Sequence, residues 1–186
     1  MISLLKASLT CSLLLVAAVA CGDEPPAFPG TAPEHELLQR FVGEWEITGE
    51  CTIGPGSEPT KNTGRTSSRL LGERWAINEM VFDTDGIEIR GVQTLGYDPA
   101  KQKYVGTWTD SMMNHLWVYE GVYDEEKRTL TLDTMGPNMM GDGELIPYQD
   151  TFEFVSKDKI VMRSQAKDDA GEWVVFMTSE MSRVAE

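Results

Sequence analysis

The chain has 186 residues and a formal charge of −14, with 30 acidic against 16 basic side chains. That balance, with no lysine or arginine cluster, excludes a phosphate-neutralising nucleic-acid surface and a polybasic membrane surface. CxxC, HExxH, Walker A and GxGxxG patterns are also missing, which removes the commonest zinc, phosphate and dinucleotide chemistries.

The first residues read as a processing signal. Lys6 precedes an apolar run from Leu9 to Ala20, too short to span a bilayer as a helix and suited to a signal h-region. The run ends in "AVAC" at 18–21, which resembles a bacterial lipobox although Ala18 stands where leucine is commoner. On this reading residues 1–20 are removed and Cys21 is lipidated as the new N-terminus; ordinary secretion and an uncleaved anchor are the alternatives. Residues 21–32, "CGDEPPAFPGTA", are too rich in Gly, Pro and acid to bury a core and form a tether. The expected home is the bacterial cell envelope, lipid-anchored and facing the periplasm or exterior. Loss of Lys6 takes the charge from −14 to −15, and with Cys11 removed and Cys21 acylated, Cys51 has no disulfide partner.

Residues 33–186 suit one domain. Its single helix signal has Thr31 as a cap, Pro33 in the first turn, Leu37, Leu38, Phe41 and Val42 on one side, and Gly43 as a stop. Downstream the period is two. The predicted strands begin with "EWEITGECTI", "GRTSSRLL", "RWAINEMVF", "IEIRGVQTLGY" and "KYVGTWTDS". They continue with "HLWVYEGVY", "RTLTLDTM", "YQDTFEFV", "KIVMRSQA" and "EWVVFMTSEM". "DTDG", "DPAKQ", "MMN", "DEEK" and "DDAG" supply short connections, so sequence neighbours should pair in space. About ten antiparallel strands avoid exposed edges most simply by closing, which predicts an all-β up-and-down barrel with one short N-terminal helix. A β-sandwich is the structural alternative.

Three stretches, "EHELLQRFVGEWE", "GYDPAKQKYVGTWTDSM" and "GVYDEEKRTLTL", resemble the bacterial family called domain of unknown function 1579. The resemblance runs from Glu34 to about Arg183 and implies a calycin-type, lipocalin-like barrel, without a settled reaction. "VGEW" is also similar to the G-x-W that opens lipocalin barrels.

Candidate site residues follow from strand alternation. Trp108 and Asp110 share a face with Tyr104 and Gly106, and Trp117 and Tyr119 share one with Gly121 and Tyr123. These aromatics either fill the barrel or line a ligand cavity. Asp110 either orients a ligand or caps the following turn. Glu79 shares a face with Trp75, Ile77 and Val81, which points to a charge inside the barrel, with Arg69 or Arg90 as partner for it or for a ligand carboxylate. One bulge would reverse these assignments. Asp110, Ser111 and His115 span one hairpin tip, where triad geometry is rare. No histidine follows 115, which removes late-strand haem ligation of the nitrobindin kind. Met112, Met113, Met135, Met139 and Met140 could hold Cu(I), although adaptable packing is the ordinary role of such methionines.

The expected function is non-catalytic binding of a small apolar or amphipathic molecule by a membrane-anchored barrel, with no cofactor, metal or nucleic acid. A packed structural or interaction module of the envelope is the alternative, and an enzyme using Asp110 or Glu79 as base is the third reading.

Overall fold

A short helical segment closes one end of the fold. Pro33–Arg40 forms a 3-10 helix in the computed structural model, which describes residues 30–52, 57–139, 141 and 143–185. The signal segment, Cys21, most of the tether, Ile53 and Met140 lie outside the described residues. The predicted cap at Thr31 shifts by one residue: Ala32 takes the cap position, and its N–H donates to His35 Nδ1 at 3.0 Å. The three-residue repeat of this helix type aligns side chains at i and i+3. His35, Leu38 and, just past the helix, Phe41 therefore form one buried row.

Ten strands follow: β1 Gly43–Cys51, β2 Thr60–Leu71, β3 Trp75–Thr84, β4 Ile87–Asp98 and β5 Lys103–Asp110, then β6 Trp117–Asp124, β7 Thr129–Pro137, β8 Leu145–Ser156, β9 Lys159–Lys167 and β10 Trp173–Arg183. Each pairs antiparallel with the next. β10 returns to β1, with Trp45 opposite Arg183 and Cys51 opposite Met177, so the sheet is a closed up-and-down barrel. The expected barrel is the observed one, and the sandwich alternative falls.

Local chemistry explains the turns. Asp85 and Gly86 have φ of 54° and 80°, as a two-residue hairpin loop that matches strand twist requires. Asp98 Oδ1 accepts the N–H groups of Ala100 and Lys101, Asp124 Oδ1 that of Lys127, and Asp168 Oδ1 those of Ala170 and Glu172. These carboxylates hold their own loops. The connection after β5 is longer than "MMN": β6 begins at Trp117, leaving His115 and Leu116 in the loop.

The helix end is the apolar core. Phe41 meets Phe152 and Phe154 edge-on at 5.4 and 5.2 Å, over Trp45, Leu95, Leu130, Leu132 and Ile160. Burial of each such side chain contributes about 1.5–3 kcal/mol. Trp45 Nε1 donates to Phe41 O at 2.7 Å, and Tyr104 OH donates to Glu34 O at 2.9 Å. The Arg183 guanidinium lies 4.1 Å from the Trp45 ring centre and donates to Val42 O, Arg40 O and Lys157 O. The last strand thereby ties the helix into the barrel. The other end, where β5 finishes at Asp110 and β6 begins at Trp117, is the barrel's mouth.

Candidate functional site in the barrel lumen

Inward positions change character half-way along the strands. Near mid-strand they carry Thr66 on β2, Asn78 on β3, Gln93 on β4, Asp150 on β8, Ser164 on β9 and Ser179 on β10. Asn78 Nδ2 donates to Gln93 Oε1 at 2.9 Å, and Asn62 Nδ2 donates to Ser179 Oγ at 3.4 Å. Among the described residues, five buried polar atoms have no protein partner: Thr66 Oγ1, Ser68 Oγ, Asn78 Oδ1, Trp117 Nε1 and Thr134 Oγ1. Native interiors carry a few such atoms per 100 residues; here all five stand on inward strand positions.

Asp150 is the charged member of this band. Tyr119 OH donates to its Oδ2 at 2.6 Å and Ser164 Oγ to its Oδ1 at 2.5 Å. Three strands therefore meet at one carboxyl group. Desolvation pushes its pKa above the ordinary carboxylate value, against the lowering effect of the two hydroxyl donors. The Tyr119 hydroxyl is held well above its usual pKa by burial first and the Asp150 charge second. Asp150 nevertheless keeps part of its surface free, although it stands mid-strand on an inward position. Asp150 went unmarked in the sequence. Its signal was the alternation Tyr148, Asp150, Phe152, Phe154, a lone acid on an otherwise aromatic face.

Above this band the lining is aromatic. Trp108, Trp117 and Tyr119 all face inward as the alternation predicted. Trp108 packs against Phe82 with ring centres 6.4 Å apart, and Trp117 meets Tyr148 edge-on at 5.0 Å. Glycines make room for both indoles: a Cβ on Gly91 would lie 2.0 Å from Trp108 Cη2, and one on Gly136 2.0 Å from Trp117 Cζ3. Asp110 accepts from Trp108 Nε1 at 2.9 Å and, through its other oxygen, from the Met112 and Met113 N–H groups. It both caps the turn and orients the indole.

Four predicted lining residues stand elsewhere. Trp75, Glu79, Arg69 and Arg90 lie on the outer face, with Trp75 laid over Gly96 and 38% exposed. Arg69 and Glu79 approach to 3.9 Å, but each side chain is more than half exposed; Arg90 pairs with Glu88 at 2.7 Å. The expected charge inside the barrel at Glu79 is overturned. Alternation identified correctly that Trp75, Ile77, Glu79 and Val81 share a face, but the apolar members suggested the wrong one. Ala76, Asn78 and Met80 point inward instead.

No Asp–Ser–His set forms at the hairpin tip: Ser111 Oγ accepts the Arg90 N–H, and His115 Nε2 is bonded to Met135 O at 3.0 Å. Met112, Met135 and Met139 are exposed, whereas Met113 packs against the core. Among the described residues, no group of three His, Cys, Asp or Glu side chains is placed for a metal ion. Burial raises the Cys51 thiol pKa, away from a reactive thiolate.

The wall has a seam. Pairing between β6 and β7 ends at Glu120 opposite Asp133, although both strands continue toward the mouth. An outer depression of about 640 Å³ covers the seam, lined by Leu116, Val118, Met135, Pro147 and Trp173 and reaching the inward Thr134 and Tyr148. A second, of about 260 Å³, lies over the outer faces of β4–β6.

The sequence model of the family described as "Protein of unknown function (DUF1579)" matches residues 30–183. No curated protein matches the chain. Among solved structures, the barrel is similar to Rv2717c from M. tuberculosis (12% identity, TM-score 0.62), covering 84% of this chain and 100% of that one. It is also similar to the S-type phycobiliprotein lyase CPES from Guillardia theta (14% identity, TM-score 0.57), covering 82% of this chain and 93% of that one. At such identities the likeness is one of fold.

Proposed function

The chain belongs to the DUF1579 family, and from that premise we propose that its barrel binds a small amphipathic molecule in the lumen, without catalysis, while a lipid on Cys21 holds it at the bacterial cell envelope. The observation that carries the binding reading is the set of five unpartnered buried polar atoms around one lumen. Each costs about 1–3 kcal/mol when left without a partner, and a guest or an enclosed water that brings hydrogen-bonding groups offsets that cost. Trp108, Trp117 and Phe82 supply flat apolar surface for the body of such a ligand. The polar band favours an amphipathic molecule over a wholly apolar one.

Native mass spectrometry of the purified protein, followed by a panel of fatty acids, isoprenoids and anionic, neutral and cationic amphipathic aromatics, tests the binding. A co-purifying mass, or saturable binding lost on Gly136→Leu, supports it; a chain that is empty and ignores the panel refutes it. Anchoring is tested separately by Cys21→Ser, which should move the protein from the membrane fraction to the soluble one. A packed interaction module of the envelope is the second reading, and the apolar outer depression over the β6–β7 seam favours it. There, binding would survive lumen-filling substitutions and be lost on Trp173→Ala.

A further inference from the structure

Two carboxyl groups face the lumen, and among the described residues no lysine or arginine occupies an inward position of β2 to β9. Asp150 stands in the mid-strand band and Asp110 at the mouth, on the same inner wall as Tyr119. Alternation turns the lysines and arginines of β2 to β9 outward among the described residues. On β10, Arg183 is committed at the helix end to three carbonyls and the Trp45 ring. A carboxylate offers about four lone-pair positions, and the two hydroxyls on Asp150 use two of them. Across the ring, five strands from β8 in either direction, β3 carries Asn78, fully buried, whose amide oxygen has no partner. The open lone pairs of Asp150, with no inward cation beside them among the described residues, define the complement: a group that donates hydrogen bonds and bears positive charge.

We propose that the lumen selects ligands with a protonated nitrogen, an ammonium, amidinium or protonated heteroaromatic base, whose N–H groups bond to Asp150 while an aromatic or aliphatic body lies against Trp108 and Trp117. The inference rests on the lumen-binding reading above and names the ligand class for it. An anionic headgroup is disfavoured at the same site, because it would enter a low-dielectric space beside an uncompensated carboxylate. Fatty acids are therefore poor ligands despite the lipocalin-like fold. The depression over the seam reaches Thr134 and Tyr148, which stand one inward step toward the mouth from Leu132 and Asp150 on β7 and β8.

Three dansyl probes of matched size test this on the full chain: dansylcadaverine, with an ammonium tail; dansyl-6-aminohexanoate, with a carboxylate; and neutral N-hexyldansylamide. Titrations followed by dansyl emission are run at high salt, which screens the acidic outer surface and leaves an enclosed pair largely intact. The ammonium probe should bind at least about tenfold tighter than the carboxylate probe, the size of one charge-assisted hydrogen bond. Asp150→Asn should abolish the preference and leave the neutral probe's affinity within about threefold. Comparison of the three probes on the native chain keeps the test valid if that variant does not fold. Equal binding of all three probes, or a preference that survives Asp150→Asn, overturns the charge inference and leaves lumen binding standing. Failure of every probe to bind overturns both.

Discussion

Alanine at Gly91 provides a direct measure of how Trp108 is seated in the lumen. Gly91 lies outside the glycines with positive φ, so alanine meets no backbone strain there. Its Cβ would, however, lie 2.0, 2.3 and 2.8 Å from three atoms of the Trp108 ring. Carbon atoms pack at about 3.5–4.0 Å, so the indole must move by about 1.5 Å or more. The ring is held on its other sides by the 2.9 Å bond from Nε1 to Asp110 and by Phe82. Its displacement strains both, and over-packing of this kind costs about 1–3 kcal/mol. The lost indole–carboxylate bond adds little, because Asp110 is partly exposed and water can replace the donor. With Trp108→Ala the obstacle is gone, and Gly91→Ala becomes neutral or gains a few tenths of a kcal/mol from reduced chain entropy. A double-mutant cycle by urea unfolding should therefore return a coupling of about 1–3 kcal/mol. An equal cost of Gly91→Ala in both backgrounds would refute the placement of the indole over Gly91.

Two further outcomes follow from the core and the carboxylate. Leu38 is fully buried in the helix that closes the barrel, so Leu38→Ala should lower stability by about 2–5 kcal/mol; a loss under about 1 kcal/mol would mean the helix is not part of the cooperative unit. Asp150 has a raised pKa, so the folded state holds its proton more tightly than the unfolded chain. Its favourable contribution is complete below the ordinary value of 3.8 and is lost as pH climbs toward the raised one. The urea midpoint of Asp150→Asn relative to the native chain should accordingly rise with pH over that window, and a flat difference would contradict a desolvated carboxyl.

Strand pattern and turn chemistry were legible because they are local. Period two in "KYVGTWTDS" and "HLWVYEGVY" states which side chains share a face, and "DTDG" and "DPAKQ" carry the residues their turns require. Short connections then led to the meander and its closure. The choice of inward face is a property of the whole ring. On β3 the apolar Trp75, Ile77 and Val81 lie outside while Asn78 points in, because Gln93 on β4 offers it a partner there. Asp150 was overlooked for the same reason: its meaning depends on Tyr119, 31 residues before it, and on Ser164, 14 residues after it. The sequence by itself determined the ten strands, their order, most of their turns and the family. Only closure of the barrel decided which faces meet, and a carboxylate becomes a candidate site when hydroxyl donors from two other strands converge on it inside the ring.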